Sequence, residues 1–163
     1  MPTAADSHSG SVWAIVVAAG AGTRFGGPKQ YARVGGRRVL DHSVAAVHSV
    51  ADGVVLVVAP ERVGDPEPSV DAVVGGGERR SDSVRAGLAA VPADAEVIVV
   101  HDAARPLASR RLFEAVVDAV RAGADAAVPG LPVADTLRHH DHGPVDRADM
   151  VAVQTPQAFA ASA

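Results

Sequence analysis

Continuous apolar runs, with no polar residue alternating through them, set the frame of this chain. Residues 12–18 (VWAIVVA), 53–59 (GVVLVVA) and 97–101 (VIVVH) are the clearest. Runs of that length and β-branched content suit strands covered on both faces, as in a parallel sheet. Shorter runs at 71–74 and 124–128 are expected to add two more strands. Between the strands, apolar positions recur at helical spacing. Asp41 is expected to cap a helix with Val44, Val47 and Val50 inward, ended by Gly53. Ser81 or Ser83 would cap a second, with Val84, Leu88 and Val91 inward. Ser109 would cap a third that runs through Arg121, with Gly123 just past its end. Residues 34–37 read as a turn and 61–69 as a loop or a poor helix. Strands alternating with helices predict an α/β fold with a mostly parallel sheet, in which ligands gather at the C-terminal strand ends. The loops after strands one, three and four should therefore share a site.

The pattern changes at Leu131. LPVADTLRHHDHGPVDRADMVAVQTPQAF has short extended pieces around a polar turn, and residues 131–153 read as a projecting β-hairpin arm. Such an arm cannot bury both faces alone, so it is expected to rest on a second subunit. His139, His140 and His142 lie at its tip beside Asp141. Adjacent hairpin positions face opposite ways, which argues against one shared metal ion. No role is read for His8, His42 or His48.

Composition narrows the class. A chain of 163 residues, 48% hydrophobic and 21% charged, is one ordinary globular domain. No apolar run approaches the length of a membrane span. Residues 1–11 are polar, carry no leader pattern, and are expected to be a frayed tail. The absence of cysteine excludes disulfides and thiolate chemistry and fits a cytoplasmic enzyme. A net charge of −4 argues against a general nucleic-acid binder. Any capacity for anions must be local.

That capacity is concentrated in residues 12–31, VWAIVVAAGAGTRFGGPKQY. After Ala18 at the end of the apolar run, Ala19, Gly20, Ala21, Gly22 and Thr23 are small enough to bring backbone N–H groups close to anionic oxygens, and Arg24 and Lys29 supply permanent positive charge. A dinucleotide fingerprint fails, because Phe25 stands where its third glycine should be. A Walker A loop fails as well: Pro28 displaces Lys29 by one place and Gln30 replaces the metal-binding hydroxyl. Two later stretches carry further chemistry, Gly75-Gly76-Gly77-Glu78-Arg79-Arg80-Ser81-Asp82-Ser83 and His101-Asp102-Ala103-Ala104-Arg105-Pro106.

AAGAGTRFGGPKQ resembles the signature loop of the sugar-nucleotide pyrophosphorylase superfamily. With the Gly77–Ser83 stretch, the HDAARP motif, Asp135-Thr136, Val145-Asp146-Arg147 and Gln154-Thr155-Pro156-Gln157, the chain is similar to the 2-C-methyl-D-erythritol 4-phosphate cytidylyltransferases. The resemblance implies a Rossmann-like three-layer nucleotidyltransferase fold. It also implies transfer of CMP from CTP to methylerythritol phosphate with release of pyrophosphate. Arg24 and Lys29 would stabilise the transition state. Gly77 and Ser83 would contact the cytosine, and Asp102, beside Ala103, would hold Mg²⁺. Arg105 would lie near the acceptor. Thr136 and Arg147 would reach from the arm into a partner's site, Arg147 gripping the acceptor phosphate with Thr155 nearby. The same loops would serve a ribitol-phosphate or other sugar-phosphate cytidylyltransferase, or a non-catalytic nucleotide-binding module. Three departures stand out. Val17 replaces the family's usual proline, the span between Arg24 and Lys29 is short, and family members continue beyond the position of Ala163. A truncated C-terminal end is therefore expected.

Overall fold

In the computed structural model, which describes residues 10–163 apart from the Arg24 side chain, the apolar runs become neighbouring strands of one sheet. The chain forms β1 (Val12–Val17), β2 (Arg33–Val34), β3 (Arg37–Arg38), α1 (Val39–Val47), β4 (Gly53–Val58), β5 (Ala72–Gly75) and α2 (Arg80–Leu88). It continues through β6 (Val97–Asp102), α3 (Arg110–Arg121), β7 (Ala126–Ala127), β8 (Gly130–Pro132), β9 (Arg138–His139), β10 (Gly143–Pro144), β11 (Val151–Val153) and β12 (Gln157–Ala160).

The main sheet has the order β5-β4-β1-β6-β12-β7. β1 pairs in parallel with β4 on one side and β6 on the other. The strand order therefore reverses direction at β1, and a crevice opens at its C-terminal end, as is usual in open α/β sheets. Both faces are covered. Val12, Ala14 and Val16 pack with Leu40, Val44 and Val47 of α1 and with Phe113, Val116 and Val117 of α3. Ile15, Val57, Ile98 and Val100 face the opposite way, against Val84 and Val91 on the α2 side. This double coverage explains why the strands are apolar throughout: β4 is buried at every position. The three-layer, mostly parallel α/β architecture expected from the sequence is the one observed.

Several local expectations are corrected. The helix expected to start at Asp41 starts at Val39, and Asp41 accepts the Arg38 N–H at 2.9 Å from the third helical position. Gly53 opens β4 rather than ending α1. Residues 33–38 form a small hairpin, not a simple turn. The second helix is capped by neither serine. Arg79 is its N-cap residue, and Asp82 accepts the Arg79 N–H. Leu88 faces outward and is 46% exposed. The strand expected at 124–128 shrinks to two residues, which pair with β12. β12, which no sequence pattern predicts, runs antiparallel to β6 and β7 and separates them.

Of the tail expected over 1–11, residues 1–9 lie outside the described residues. Ser11 is held: its carbonyl accepts the N–H groups of Glu96 and Val97 at 3.0 and 3.2 Å. The arm consists of two small ladders, β8 with β11 at its base and β9 with β10 at its tip. At the tip His139 Nδ1 accepts the N–H groups of Asp141 and His142, so this ring closes a turn. Among the described residues no helix is long and apolar enough to cross a membrane.

Candidate functional site

The small-residue loop leaves β1 held on two sides. Ala18 N–H donates to Val57 O at 2.7 Å and Ala103 N–H donates to Val17 O at 3.0 Å, which extends sheet pairing past the strand end. Gly22 then turns the chain with φ 63°, and a Cβ there would lie 1.8 Å from the Gly27 carbonyl oxygen, so only glycine fits. The Gly22 carbonyl accepts from Phe25 and Gly27, closing a compact turn that carries Arg24. The Arg24 side chain lies outside the described residues. A second short turn, Lys29–Tyr31, sends successive side chains to different sides. Lys29 is exposed, with its ammonium 5.4 Å from the centroid of the Phe25 ring, whereas Gln30 is buried.

Loop 76–79 closes in from the other side. A Cβ on Gly76 would sit 2.5 Å from the Ala19 Cβ, so this close approach of two loops requires the missing side chain. Ser83 is buried, and its hydroxyl oxygen accepts the Gly77 N–H at 3.2 Å. That bond braces the turn and leaves the hydroxyl one further acceptor position.

β6 delivers the carboxylate. Asp102 Oδ1 accepts from Arg80 Nε at 3.0 Å and Oδ2 accepts from Arg105 Nε at 3.3 Å. Ion pairs this exposed contribute roughly 0–1 kcal/mol each, so they serve mainly to orient the three side chains. Behind them His101 is fully buried, edge-on to Phe113. Its Nε2 lies 3.2 Å from the Arg105 carbonyl, which can only accept, so the proton sits on Nε2. Its Nδ1 therefore accepts from the Thr155 hydroxyl at 3.3 Å, and that oxygen accepts the Asp102 N–H. Burial drives the His101 pKa down from 6.5 to about 4, so the ring is neutral.

These parts enclose a cavity of about 810 Å³. Of the residues singled out from the sequence, Ala18, Ala19, Gly20, Gly22, Lys29, Gly77, Ser83, Asp102 and Arg105 line it together. Ala103 does not; it is buried, and its carbonyl accepts the Ser43 hydroxyl at 2.8 Å. Thr155 is buried behind Asp102 and borders an adjoining cavity of about 550 Å³ with Arg105 and Gln154. Thr136 and Arg147 are exposed on the arm, where the Arg147 guanidinium donates to the Ala134 carbonyl. Neither joins the large cavity within this chain. Sequence reasoning missed Arg80, which the structure places on Asp102. The excess of arginine in Arg79-Arg80 at a helix start, where cations are disfavoured, was the available signal.

Asp102 is also the residue to weigh for a divalent cation. Among the described residues no group of three or more His, Cys, Asp or Glu side chains converges. Mg²⁺ does not need one: it is commonly held by one or two carboxylates with substrate phosphates and waters. A single carboxylate at the rim of a cavity lined by Lys29, Arg79, Arg80 and Arg105 fits that chemistry, in competition with the two arginines paired to it.

Comparison with known proteins places the chain in a family. The family model of the 2-C-methyl-D-erythritol 4-phosphate cytidylyltransferases (IspD) matches residues 12–163. The chain is 45% identical over 170 residues to the enzyme of that name from Nocardia farcinica, covering 94% of this chain and 73% of the relative. It is 46% identical over 164 residues to a bifunctional IspD/IspF enzyme from Clavibacter michiganensis, covering 89% of this chain but 40% of that protein. The crystal structure of the cytidylyltransferase from Thermus thermophilus superposes with a TM-score of 0.74 at 35% identity, over 93% of this chain and 71% of the other. On the matched residues and these identities, the chain belongs to the 2-C-methyl-D-erythritol 4-phosphate cytidylyltransferase family.

Proposed function

We propose that this protein transfers CMP from CTP to 2-C-methyl-D-erythritol 4-phosphate and releases pyrophosphate. One observation carries the reading: the phosphate-type loop, the Gly77–Ser83 turn and the Asp102–Arg105 strand end border a single cavity large enough for a nucleotide. The acceptor's phosphate oxygen is already anionic at neutral pH, so no general base is required. Its bond to the α-phosphorus forms as the bond to the oxygen bridging to the β-phosphate breaks, and pyrophosphate leaves with that electron pair. Catalysis then consists of alignment and charge neutralisation. Small residues 18–22 admit the triphosphate, and Lys29, with Arg24 earlier in the same loop, offsets charge developing at the α-phosphorus. Asp102 would hold Mg²⁺, which when bound neutralises charge on the phosphates. Arg80 and Arg105, released from Asp102, become available to anionic oxygens.

The acceptor site is proposed to be completed by a second subunit. Leu107, Leu131, Val151 and Val153 are exposed at the arm and the adjoining cavity, an apolar surface that a second copy would cover. Thr136 and Arg147 would then act on the partner's site. The direct test is pyrophosphate release from CTP with a panel of polyol phosphates. Turnover with methylerythritol phosphate well above ribitol phosphate supports the assignment. Equal turnover with both, or none with either, rejects it.

A further inference from the structure

In the loop of residues 18–22 two alternate carbonyls, those of Ala18 and Gly20, are held by one buried side chain. Gln30 is 6% exposed, and its Nε2 donates to the Ala18 carbonyl at 2.6 Å and to the Gly20 carbonyl at 2.9 Å. Carbonyls only accept, so both bonds use hydrogens of the amide nitrogen and the orientation of the Gln30 amide is settled. In a trans peptide the C=O of one residue and the N–H of the next point in opposite directions. Drawing the Ala18 and Gly20 carbonyls inward therefore turns the N–H groups of Ala19 and Ala21 outward. Both residues line the large cavity, and among the described residues neither N–H has a protein acceptor.

We propose that Gln30 is the positioning residue of this loop: it sets the Ala19 and Ala21 N–H groups as paired donors to nucleotide phosphate oxygens. The inference rests on the reading of the cavity as a nucleoside triphosphate site. It explains why Gln30 follows Lys29 directly. The Lys29–Tyr31 turn sends a cation toward the ligand and the next side chain into the interior, so one turn supplies both charge and loop shape. It also separates two jobs. The nucleobase side of the cavity, at Gly77 and Ser83, is held by its own hydrogen bond and makes none with the Gln30 amide.

Gln30→Met keeps the approximate volume and removes both donors. Calorimetry with CTP and Mg²⁺ is expected to show binding weakened about tenfold or more, since two charge-assisted hydrogen bonds lose their alignment. Cytidine, which carries the base and ribose without phosphate, should bind the variant and the parent alike in an NMR titration. CTP affinity within twofold of the parent would overturn the proposal. So would equal weakening of CTP and cytidine, which would mean a general loosening of the site. Should the variant fail to fold, the ¹⁵N-labelled parent decides. Its Ala19 and Ala21 amide protons should move downfield on CTP addition, and unmoved signals would overturn the assignment. A parent that binds no CTP sinks the nucleotide reading and this proposal together. A parent that binds CTP beside an unaffected Gln30→Met sinks the proposal alone.

Discussion

Lys29 can be removed at little structural cost, because it is exposed and lines the cavity rather than the core. Lys29→Ala is expected to lower kcat by about 10²–10³-fold, as loss of one preorganised oxyanion donor does, with the thermal midpoint nearly unchanged. Near-native kcat at saturating CTP would remove the cation from the transition state. His101 is the opposite case, important to the fold and silent in charge. Its folded pKa is about 4 against 6.5 when exposed, so between those values the unfolded chain binds the proton that the folded chain refuses. Stability is full above pH 6.5 and falls as pH drops toward 4, by up to about 3 kcal/mol from this residue. Urea unfolding across that window should show a shallower pH dependence in His101→Gln. An identical slope would assign the acid sensitivity to other groups. Gln30 shows why single residues were hard to read: one amide inside a loop has no periodicity to betray it. Its partners are carbonyls that every residue carries.

At the scale of elements, α2 is placed by a residue it lacks. A Cβ on Gly87 would come within 2.5 Å of Ile15 Cγ2 and 2.9 Å of Val57 Cγ2, so the helix lies directly on β1 and β4. That contact sets the position of Arg80 and Ser83 at the other end of the same helix. Gly87→Val is expected to cost about 1–3 kcal/mol by overpacking and to raise the KM for CTP as α2 lifts. Denaturant unfolding and steady-state kinetics check the two effects, and an unchanged KM would uncouple the helix from the site. β1, β4 and β6 were legible because burial on both faces writes itself as an unbroken apolar run. Helix starts were less so, since Asp41 and Asp82 cap from the third helical position: Asp41 itself looks like an N-cap, and beside Asp82 the serines at 81 and 83 do. β12 was not legible at all. QAFA is four residues long, follows an irregular segment, and owes its strand conformation to an open edge of β6 built far earlier in the chain.

For the whole molecule, the proposed sharing of sites between subunits makes a quantitative prediction. Lys29→Ala and Arg147→Ala should each be inactive. If the arm serves the partner, a mixed dimer holds one site with both lesions and one with neither. Random exchange in an equal mixture makes about half the dimers mixed and restores about a quarter of parental activity. A mixture that stays silent after verified exchange would mean that each arm serves its own subunit. The placement of β12 bears on how such a molecule is made. β6 gains its outer neighbour only from residues 157–160, after the chain has travelled out along the arm and back. During synthesis, Val97 to Val100 therefore wait as a bare apolar edge while some fifty-five further residues are added. The last stitch in the sheet also brings Thr155 against His101, so a nascent chain cannot acquire a finished active site without already possessing a complete arm.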